Sequence, residues 1–374
     1  MKVFLRLAVF AALCATFSLF TASCKSDPGE NSEETVYKGG IVAFYPPNGL
    51  GDNSAVDAFC SGIQKTGIQK SLWAYDVCPT DWTDAKKLLD DYIPRCFNLS
   101  REQGTSILIV LADPGYLSYL SGFTATKPEK VSFLLFDAKK ENEDAALNTV
   151  YVPLYGASYL AGVAAKALLA EKEDSHVLSL LANSDSAVIN DALQGFIAGY
   201  GADWDKQIYG SDFTEWSDEK ASAFSKLSFA ALELKNDLDT SGFDSAEFAY
   251  VLALFAEKWN PFDLYFPLCG GSVQGLLRYN REKRADSFYT VGMDSDLSVY
   301  TQQVPFSVVK HIDRVIQKCV EQWMGGTLPH HQTFTLADGY TELVISRNYT
   351  EKLSDLVQNA TQTAIEKERI YEEN

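Results

Sequence analysis

The feature that most constrains the fold of this chain is a repeated succession of short apolar runs and stretches with helical periodicity. The strand-like runs are "GGIVAFY", "SILIVLA", "VSFLLFD", "NTVYVPLY", "HVLSLLA", "FDLYFPL" and "FYTVGMD". The helix-like stretches are 55–64, 85–93, 158–170, 187–200 and 245–259. Strand followed by helix, repeated, predicts an α/β fold with mainly parallel sheets flanked by helices. In such sheets ligands bind beyond the carboxyl ends of the strands.

Residues 1–23 predict the signal peptide of a lipoprotein. A positively charged start and an apolar stretch too short to span a bilayer lead to the small residues of "TAS", which Cys24 follows. This order is similar to bacterial lipoprotein signals, although Thr21 stands where they usually carry Leu. We expect an acyl group such as palmitate on Cys24 to anchor the chain to a bacterial membrane, facing the periplasm or the exterior. Ordinary secretion with an unmodified Cys24 is the alternative.

Residues 24–37 are polar and acidic and predict a flexible tether. The net charge of the whole chain is −18, and cleavage after residue 23 removes Lys2, Arg6 and no acid, which brings it to −20. Because so acidic a surface repels phosphate backbones, nucleic acid is not an expected partner. With 374 residues, 46% of them hydrophobic, the chain can form about two domains.

The cysteines predict no metal or cofactor site. Once the signal peptide is removed and Cys24 is acylated, the cysteines that remain are Cys60, Cys78, Cys96, Cys269 and Cys319. No pair of them has CxxC spacing. An exported chain permits a disulfide, for which Cys78–Cys96 is one hypothesis. Buried free thiols are the alternative, since spacing does not determine pairing.

Motifs that could indicate catalysis fail on inspection. A nucleophile elbow needs Gly two residues after the Ser, and after Ser158 that position is Leu160. The small residues around Ser158 favour close packing of a helix instead. Adjacent His330 and His331 point apart on a regular element, so they do not predict a metal site. An enzyme is therefore not predicted.

Several motifs occur in an order and at a spacing that are typical of one family of receptors. They are "GLGDNSAVDAFCSGI", "YGASYLAGVAAKAL", "AVINDALQGFIAGY", "CGGSVQGL", "VGMDSDLS" and "VPFSVVKHIDRVI". Together they resemble the basic membrane protein family of substrate-binding lipoproteins, which includes purine nucleoside receptors of ABC transporters. The resemblance covers about residues 40–365. Each motif alone is modest, and the ordered set carries the resemblance.

The resemblance implies the fold of type I periplasmic binding proteins, which have two α/β lobes joined by three crossovers and a ligand cleft between them. Lobe one would comprise residues 38–153 and 303–332, and lobe two residues 154–302 and 333–374. Residues 217–240, rich in Lys, Asp and Glu, would be an inserted helical excursion in lobe two. A hinged cleft suits reversible capture, because closure excludes water. A monomer that passes its ligand to an ABC permease is expected.

The resemblance also implies ligand-binding residues in both lobes. They are Asp52, Asn53, Ser54, Asp113, Phe266, Gly270, Gly271, Ser272, Asp294 and Lys310. Phe266 matches a stacking aromatic, residues 270–272 match a backbone turn, and Asp294 matches an acceptor of ribose hydroxyls. Each has a plain alternative: a core position for Phe266, a turn cap for Asp294 and a solvated helix residue for Lys310.

The first loop departs from the family pattern. Ala55 stands where relatives carry a ring that stacks on the ligand, so Phe44, Tyr45 or Tyr116 would have to replace it. Residues 52–54 either face the ligand or simply cap the following helix. We therefore expect a nucleoside or another small polar metabolite as the ligand.

Two other classes of function stay open. One is a ligand-sensing lipoprotein of the same fold that serves no transporter. The other is a nucleoside-processing enzyme, which would need a metal or clustered acids with perturbed pKa values, and the acids to inspect are Asp52, Asp113 and Asp294.

Overall fold

The structure is a computed structural model that describes residues 37–47, 55–140, 142–172, 174–204, 206–210, 216–224, 226–234, 250, 262–283 and 288–373. The predicted signal peptide, Cys24, the loop of Asp52, Asn53 and Ser54, and almost all of the helix predicted at 245–259 lie outside these residues. None of the helices in the described ranges is both long enough and apolar enough to cross a membrane.

The strands follow the predicted runs and add several more. In chain order they are β1 Gly39–Phe44, β2 Leu72–Val77, β3 Ile107–Leu111, β4 Val131–Phe136, β5 Leu147–Tyr151, β6 Val177–Leu181, β7 Ile208–Gly210, β8 Phe229–Glu233, β9 Leu264–Leu268, β10 Tyr289–Thr290, β11 Gly292–Asp294, β12 Phe306–Lys310, β13 His331–Thr333 and β14 Thr341–Ile345.

Helices alternate with these strands. They are α1 Ala55–Lys70, α2 Trp82–Gln103, α3 Ser121–Thr124, α4 Tyr155–Leu168, α5 Ala187–Tyr200, α6 Asp218–Phe224, α7 Val273–Lys283, α8 Ile312–Met324 and α9 Thr350–Glu373. Single 3-10 turns occur at Pro114–Tyr119, Gly270–Ser272, Leu297–Val299 and Arg347–Tyr349.

Local sequence determines where the long helix α2 begins and ends. The Asp81 side chain accepts from the backbone N–H of Asp84 at 2.7 Å, which satisfies a free donor of the first turn. Gly104 follows the last turn with a φ of 65°, a left-handed conformation that glycine adopts without a side-chain penalty.

Two parallel sheets organise the chain. Sheet A has the order β13-β5-β4-β3-β1-β2, and sheet B has the order β10-β9-β6-β8-β7. Every described pairing in both sheets is parallel. A third sheet, C, has the order β11-β12-β14, in which β12 and β14 are antiparallel.

Helices cover both faces of sheet A. Helices α1 and α8 close one face through Ile63 and Ile316, and α2 closes the other through Leu89 and Ile93. Because neither face meets water, β1 and β3 are buried along their whole length, which explains their unbroken apolar runs. Sheet B packs with α4 and α5 in a separate core. The predicted α/β fold with mainly parallel sheets flanked by helices is confirmed, and the residue limits of the two lobes stay a prediction.

Helices α4 and α5 approach each other unusually closely. A Cβ atom added to Gly195 would lie 2.2 Å from the carbonyl oxygen of Tyr155, and one added to Gly162 would lie 2.2 Å from that of Phe196. Real Cβ atoms do not come this near, so only glycine fits at these crossing points. The close helix packing predicted from the small residues around Ser158 is confirmed.

All five cysteines in the described ranges are free thiols. The hypothesis of a Cys78–Cys96 disulfide is therefore wrong. Cys96 lies on the buried face of α2 within the core of sheet A, whereas Cys78 is exposed just after β2.

Candidate functional site

Three charged side chains meet where strands of sheets A and C end. Asp113 and Asp137 follow β3 and β4 closely, and Lys310 is the last residue of β12. The Nζ atom of Lys310 donates to both carboxylate oxygens of Asp137, each at 2.7 Å. Lys310 is only 4% exposed, so this is a buried ion pair with charge-assisted bonds. The alternative of a solvated Lys310 is wrong.

Asp113 is a half-buried carboxyl group beside this pair. Its Oδ1 atom accepts from the backbone N–H of Gly115 at 2.6 Å. Burial, with a smaller contribution from the charge of Asp137, outweighs the lowering effects of the bond from Gly115 and of the charge of Lys310, and the net result raises the pKa of Asp113 to about 6. The site therefore offers a carboxyl group that changes its charge near pH 6.

A second group of predicted residues lies at the ends of β9 and β11. Gly270 and Gly271 form a 3-10 turn directly after β9, and Gly270 has a φ of 50°. Half-buried Asp294 ends β11. Burial, together with the charge of Asp294, raises the pKa of the Cys269 thiol to about 12.

Two of the carboxylates have a rare backbone conformation. Asp137 has a φ of 57° and Asp294 a φ of 65°. Residues other than glycine seldom adopt this left-handed region, although Asp tolerates it better than most. Such strain clusters at functional sites, where the fold holds a side chain in a required direction.

Phe266 is not a ligand-stacking aromatic in this structure. It has 0% exposure, and its ring stacks on Phe196 with centroids 4.3 Å apart. It belongs to the core of sheet B because β9 is buried along its whole length. The expectation of a stacking role is therefore corrected, and the core alternative describes this residue.

The aromatic residues that could replace the family's first ring are also in the core. Phe44, Tyr45 and Tyr116 each have 0% exposure. The Tyr45 hydroxyl donates to Asp76 at 2.6 Å, and the Tyr116 hydroxyl donates to the carbonyl oxygen of Tyr45 at 2.5 Å. Because these bonds would be broken, neither tyrosine can swing out without cost.

Sequence reasoning missed Asp137. The signal was available, since Asp137 comes directly after the run "VSFLLF" and therefore at the carboxyl end of a parallel strand. Ala55 is half-buried at the start of α1, and the three predicted loop residues before it lie outside the described part of the chain. The side chain of Ser272 also lies outside the described part of the chain. Among the residues that are described, no group of three or more His, Cys, Asp or Glu is placed to hold a metal ion.

A second polar cluster joins the segment after β4 and the last residue of β5 to helices α5 and α9. The Nζ atom of Lys139 lies 3.0 Å from Asp191 and 3.3 Å from Glu372, and the Tyr151 hydroxyl donates to Asp191. Asp191 is 1% exposed. These contacts tie the end of sheet A to two helices that pack on the other core.

Glu368 makes a similar connection. Its carboxylate accepts from the backbone N–H of Gly156 at 2.7 Å and from that of Leu336 at 2.9 Å. It is 2% exposed, and burial raises its pKa to about 7 against the lowering effect of both bonds. Helix α9 is thereby attached to the start of α4 and to the segment after β13.

Comparison with solved structures identifies the architecture. An ABC transporter solute-binding protein from Aeropyrum pernix K1 is similar over 90% of this chain and 89% of its own, with 14% identity and a TM-score of 0.64. A transcriptional activator of the comK gene from Bacillus halodurans is similar over 87% of this chain and 98% of its own, with 15% identity and a TM-score of 0.61. A periplasmic solute-binding protein from Actinobacillus succinogenes 130z with bound D-allose matches over 83% and 99%, with 10% identity and a TM-score of 0.56.

These likenesses show that the chain has the two-lobed α/β fold of type I periplasmic binding proteins. No protein-family model and no curated protein matches the sequence. Membership of the basic membrane protein family stays a prediction.

Proposed function

We propose that the chain is a substrate-binding lipoprotein that captures a small hydroxyl-rich metabolite, a nucleoside or a sugar, and delivers it to an ABC importer. The observation that carries this proposal is the meeting of Asp113, Asp137 and Lys310 at the carboxyl ends of β3, β4 and β12. Parallel α/β sheets bind ligands at such ends. Carboxylates there accept from sugar hydroxyls through charge-assisted bonds.

Recognition of hydroxyl groups is better supported than recognition of a flat base. The family's first ring is replaced by Ala55, and Phe266 lies in the core, so the two expected stacking surfaces are absent from the described residues. Each lost surface removes roughly 0.5–1.5 kcal/mol of stacking beyond area. The neighbour with bound D-allose supports a sugar as the second candidate ligand.

A thermal-shift screen tests the proposal and separates the two candidates. The soluble domain should be stabilised by nucleosides or by sugars, and a free base should have no effect. If only free bases or amino acids stabilise it, the recognition of hydroxyls is wrong. If no member of these classes does, the substrate-binding proposal is wrong.

The ligand found by the screen then tests Asp294. Asp294→Ala should weaken binding about ten- to hundredfold, since each charged hydrogen bond contributes roughly 1.5–3 kcal/mol. Asp203→Ala, in an exposed loop, is the matched control for the lost charge. Calorimetric titration of both variants measures the difference, and equal affinities would remove Asp294 from the site.

Two alternatives have supporting observations. The neighbour described as a transcriptional activator favours a ligand sensor of the same fold, which co-purification with a permease would contradict. The raised pKa of Asp113 favours a nucleoside-processing enzyme. Incubation with nucleosides and detection of released base tests that reaction, and intact nucleosides would exclude it.

A further inference from the structure

A cavity outside the candidate site combines cationic and aromatic groups. Its volume is about 590 Å³, which lies within the range of small-molecule sites. Its lining consists of Lys139, Lys140, Tyr155, Lys367, Ile370, Tyr371 and Glu372. It shares no residue with the proposed substrate site.

Two aromatic side chains of the lining are held in place by their contacts. The rings of Tyr155 and Tyr371 stack with centroids 4.4 Å apart and planes 24° apart. Lys139 lies 4.6 Å from the centroid of Tyr371 and is held by Asp191 and Glu372. Lys139 is therefore already neutralised, and together with Tyr155 it covers the faces of the Tyr371 ring.

The rim of the cavity carries positive charge that carboxylates do not neutralise. Lys140 and Lys367 are exposed, and neither forms an ion pair within the described part of the chain. The Nζ atom of Lys367 lies 5.7 Å from the ring centroid of Tyr159, a contact that leaves its charge in place. Ile370 is 46% exposed beside them. The carboxylate of Glu372, which also lines the cavity, lies 3.3 Å from Lys139 and is therefore paired with that lysine. Two such cations on a chain with a net charge of −18 form a local site for anions.

We propose that this cavity binds an aromatic organic anion, whose phosphate or carboxylate group lies between Lys140 and Lys367 and whose ring packs against the exposed side chain of Ile370, at the edge of Tyr371. Lysine ammonium groups bind phosphate and carboxylate oxygens as point charges. An apolar surface next to them selects an anion with a ring over a bare inorganic ion.

The position of the cavity gives the ligand a regulatory role. Lys139 and Lys140 follow β4 of sheet A, whereas Tyr155 begins α4 and Tyr371 lies on α9, both of which pack in the core of sheet B. An occupant contacts both groups at once. It therefore favours whichever arrangement of sheets A and B brings these groups together, and its binding is coupled to that of the substrate.

Titration with phenyl phosphate, monitored by calorimetry and by backbone amide NMR, tests the proposal. Phenyl phosphate should bind about tenfold more tightly than inorganic phosphate or phenol, because only it combines a charged group for the lysines with an apolar ring for Ile370. The amide signals of Lys367 and Ile370 should shift on binding. If the three compounds bind equally, or if phenyl phosphate does not bind at millimolar concentration, the proposal is wrong.

A matched pair of double variants separates a specific site from general attraction. Lys140→Gln with Lys367→Gln should weaken phenyl phosphate binding about tenfold or more. Lys65→Gln with Lys87→Gln removes the same charge from exposed positions on α1 and α2 and should leave the affinity unchanged. Equal losses in both pairs would show only long-range attraction, and no loss in the first pair would place the ligand elsewhere. Either result overturns the proposal.

Discussion

Replacing Lys310 with methionine removes the cation of the buried ion pair while keeping most of the side-chain length. Lys310 is 4% exposed and makes two 2.7 Å bonds to Asp137. Removal of one partner leaves a buried charge uncompensated, which costs about 3–5 kcal/mol. Because the Asp137 side chain retains 21% exposure, water recovers part of this cost. We therefore expect Lys310→Met to lower the free energy of unfolding by about 3 kcal/mol.

The partner variants show whether this loss belongs to the pair. Asp137→Asn keeps the shape of the side chain and suits the left-handed backbone at this residue. The double variant combines Lys310→Met with Asp137→Asn and leaves no charge of the pair uncompensated. Its loss of unfolding free energy should therefore be smaller than the sum of the two single losses by about 1–3 kcal/mol. Urea unfolding at pH 7.5 and at pH 5, followed by circular dichroism, measures all four proteins.

The same substitution should act on Asp113. Lys310 lowers the pKa of Asp113, so its removal should move that pKa above about 6. NMR titration of the carboxyl carbon detects the shift. Additive losses in the unfolding cycle, together with an unchanged titration of Asp113, would refute the view that these three groups form one electrostatic unit.

Three further predictions concern packing, pH and anchoring. Gly195→Ala should lower the free energy of unfolding by about 1–3 kcal/mol, because the 2.2 Å contact with Tyr155 must open by 1.2 Å to reach 3.4 Å. Gly122→Ala is the control, since nothing lies within 4 Å of the added Cβ atom, and it should be neutral or slightly stabilising. Denaturant midpoints of the two variants measure the difference. The folded-state pKa of Glu368 is raised from 4.5 to about 7, so its contribution to stability is fully present below pH 4.5 and is lost as the pH rises through about 7. Glu368→Gln should therefore flatten the dependence of the unfolding free energy on pH between these two values. An unchanged slope would contradict the raised pKa of Glu368. Cys24→Ala should abolish labelling by a radioactive fatty acid, and equal label on parent and variant would remove Cys24 as the anchor.

Strands in long apolar runs could be predicted from sequence, whereas β8 and β12 could not, although both are largely buried. The helical excursion expected at residues 217–240 is wrong in part, because β8 lies within it and pairs with β6 and β7 of sheet B. Runs such as "SILIVLA" are recognisable because β3 is covered by helices on both sides. Strand β2 reads "LWAYDV" at the edge of sheet A, with only Leu72 and Val77 buried, so its apolar signal is weak. The run "FYTVGMD" was read as one strand, but the chain passes from sheet B to sheet C at Val291 and divides it into β10 and β11.

The candidate site was only partly accessible from sequence for a similar reason. Asp113, Asp294 and Lys310 were found because they follow apolar runs or lie in family-like motifs. The stacking role predicted for Phe266 was wrong because the sequence does not show which face of β9 points towards α5. On that face the ring of Phe266 stacks on Phe196 of α5. The position of Asp137 after an apolar run was visible in the sequence, but its ion pair was not, because Lys310 lies 173 residues further along the chain.

The parallel pairing of β13 with β5 has a consequence for the order of folding. Thr149 and His331 are direct partners although 182 residues separate them, and all of sheet B lies between. Until residue 331 has emerged, β5 is an unpaired outer strand that other chains can join. Contacts over such separations form slowly, because a long loop must close first. A ribosome-bound or partly translocated chain is therefore open to misassembly at this edge, and a chaperone that covers residues 147–151 would protect it until synthesis has passed β13.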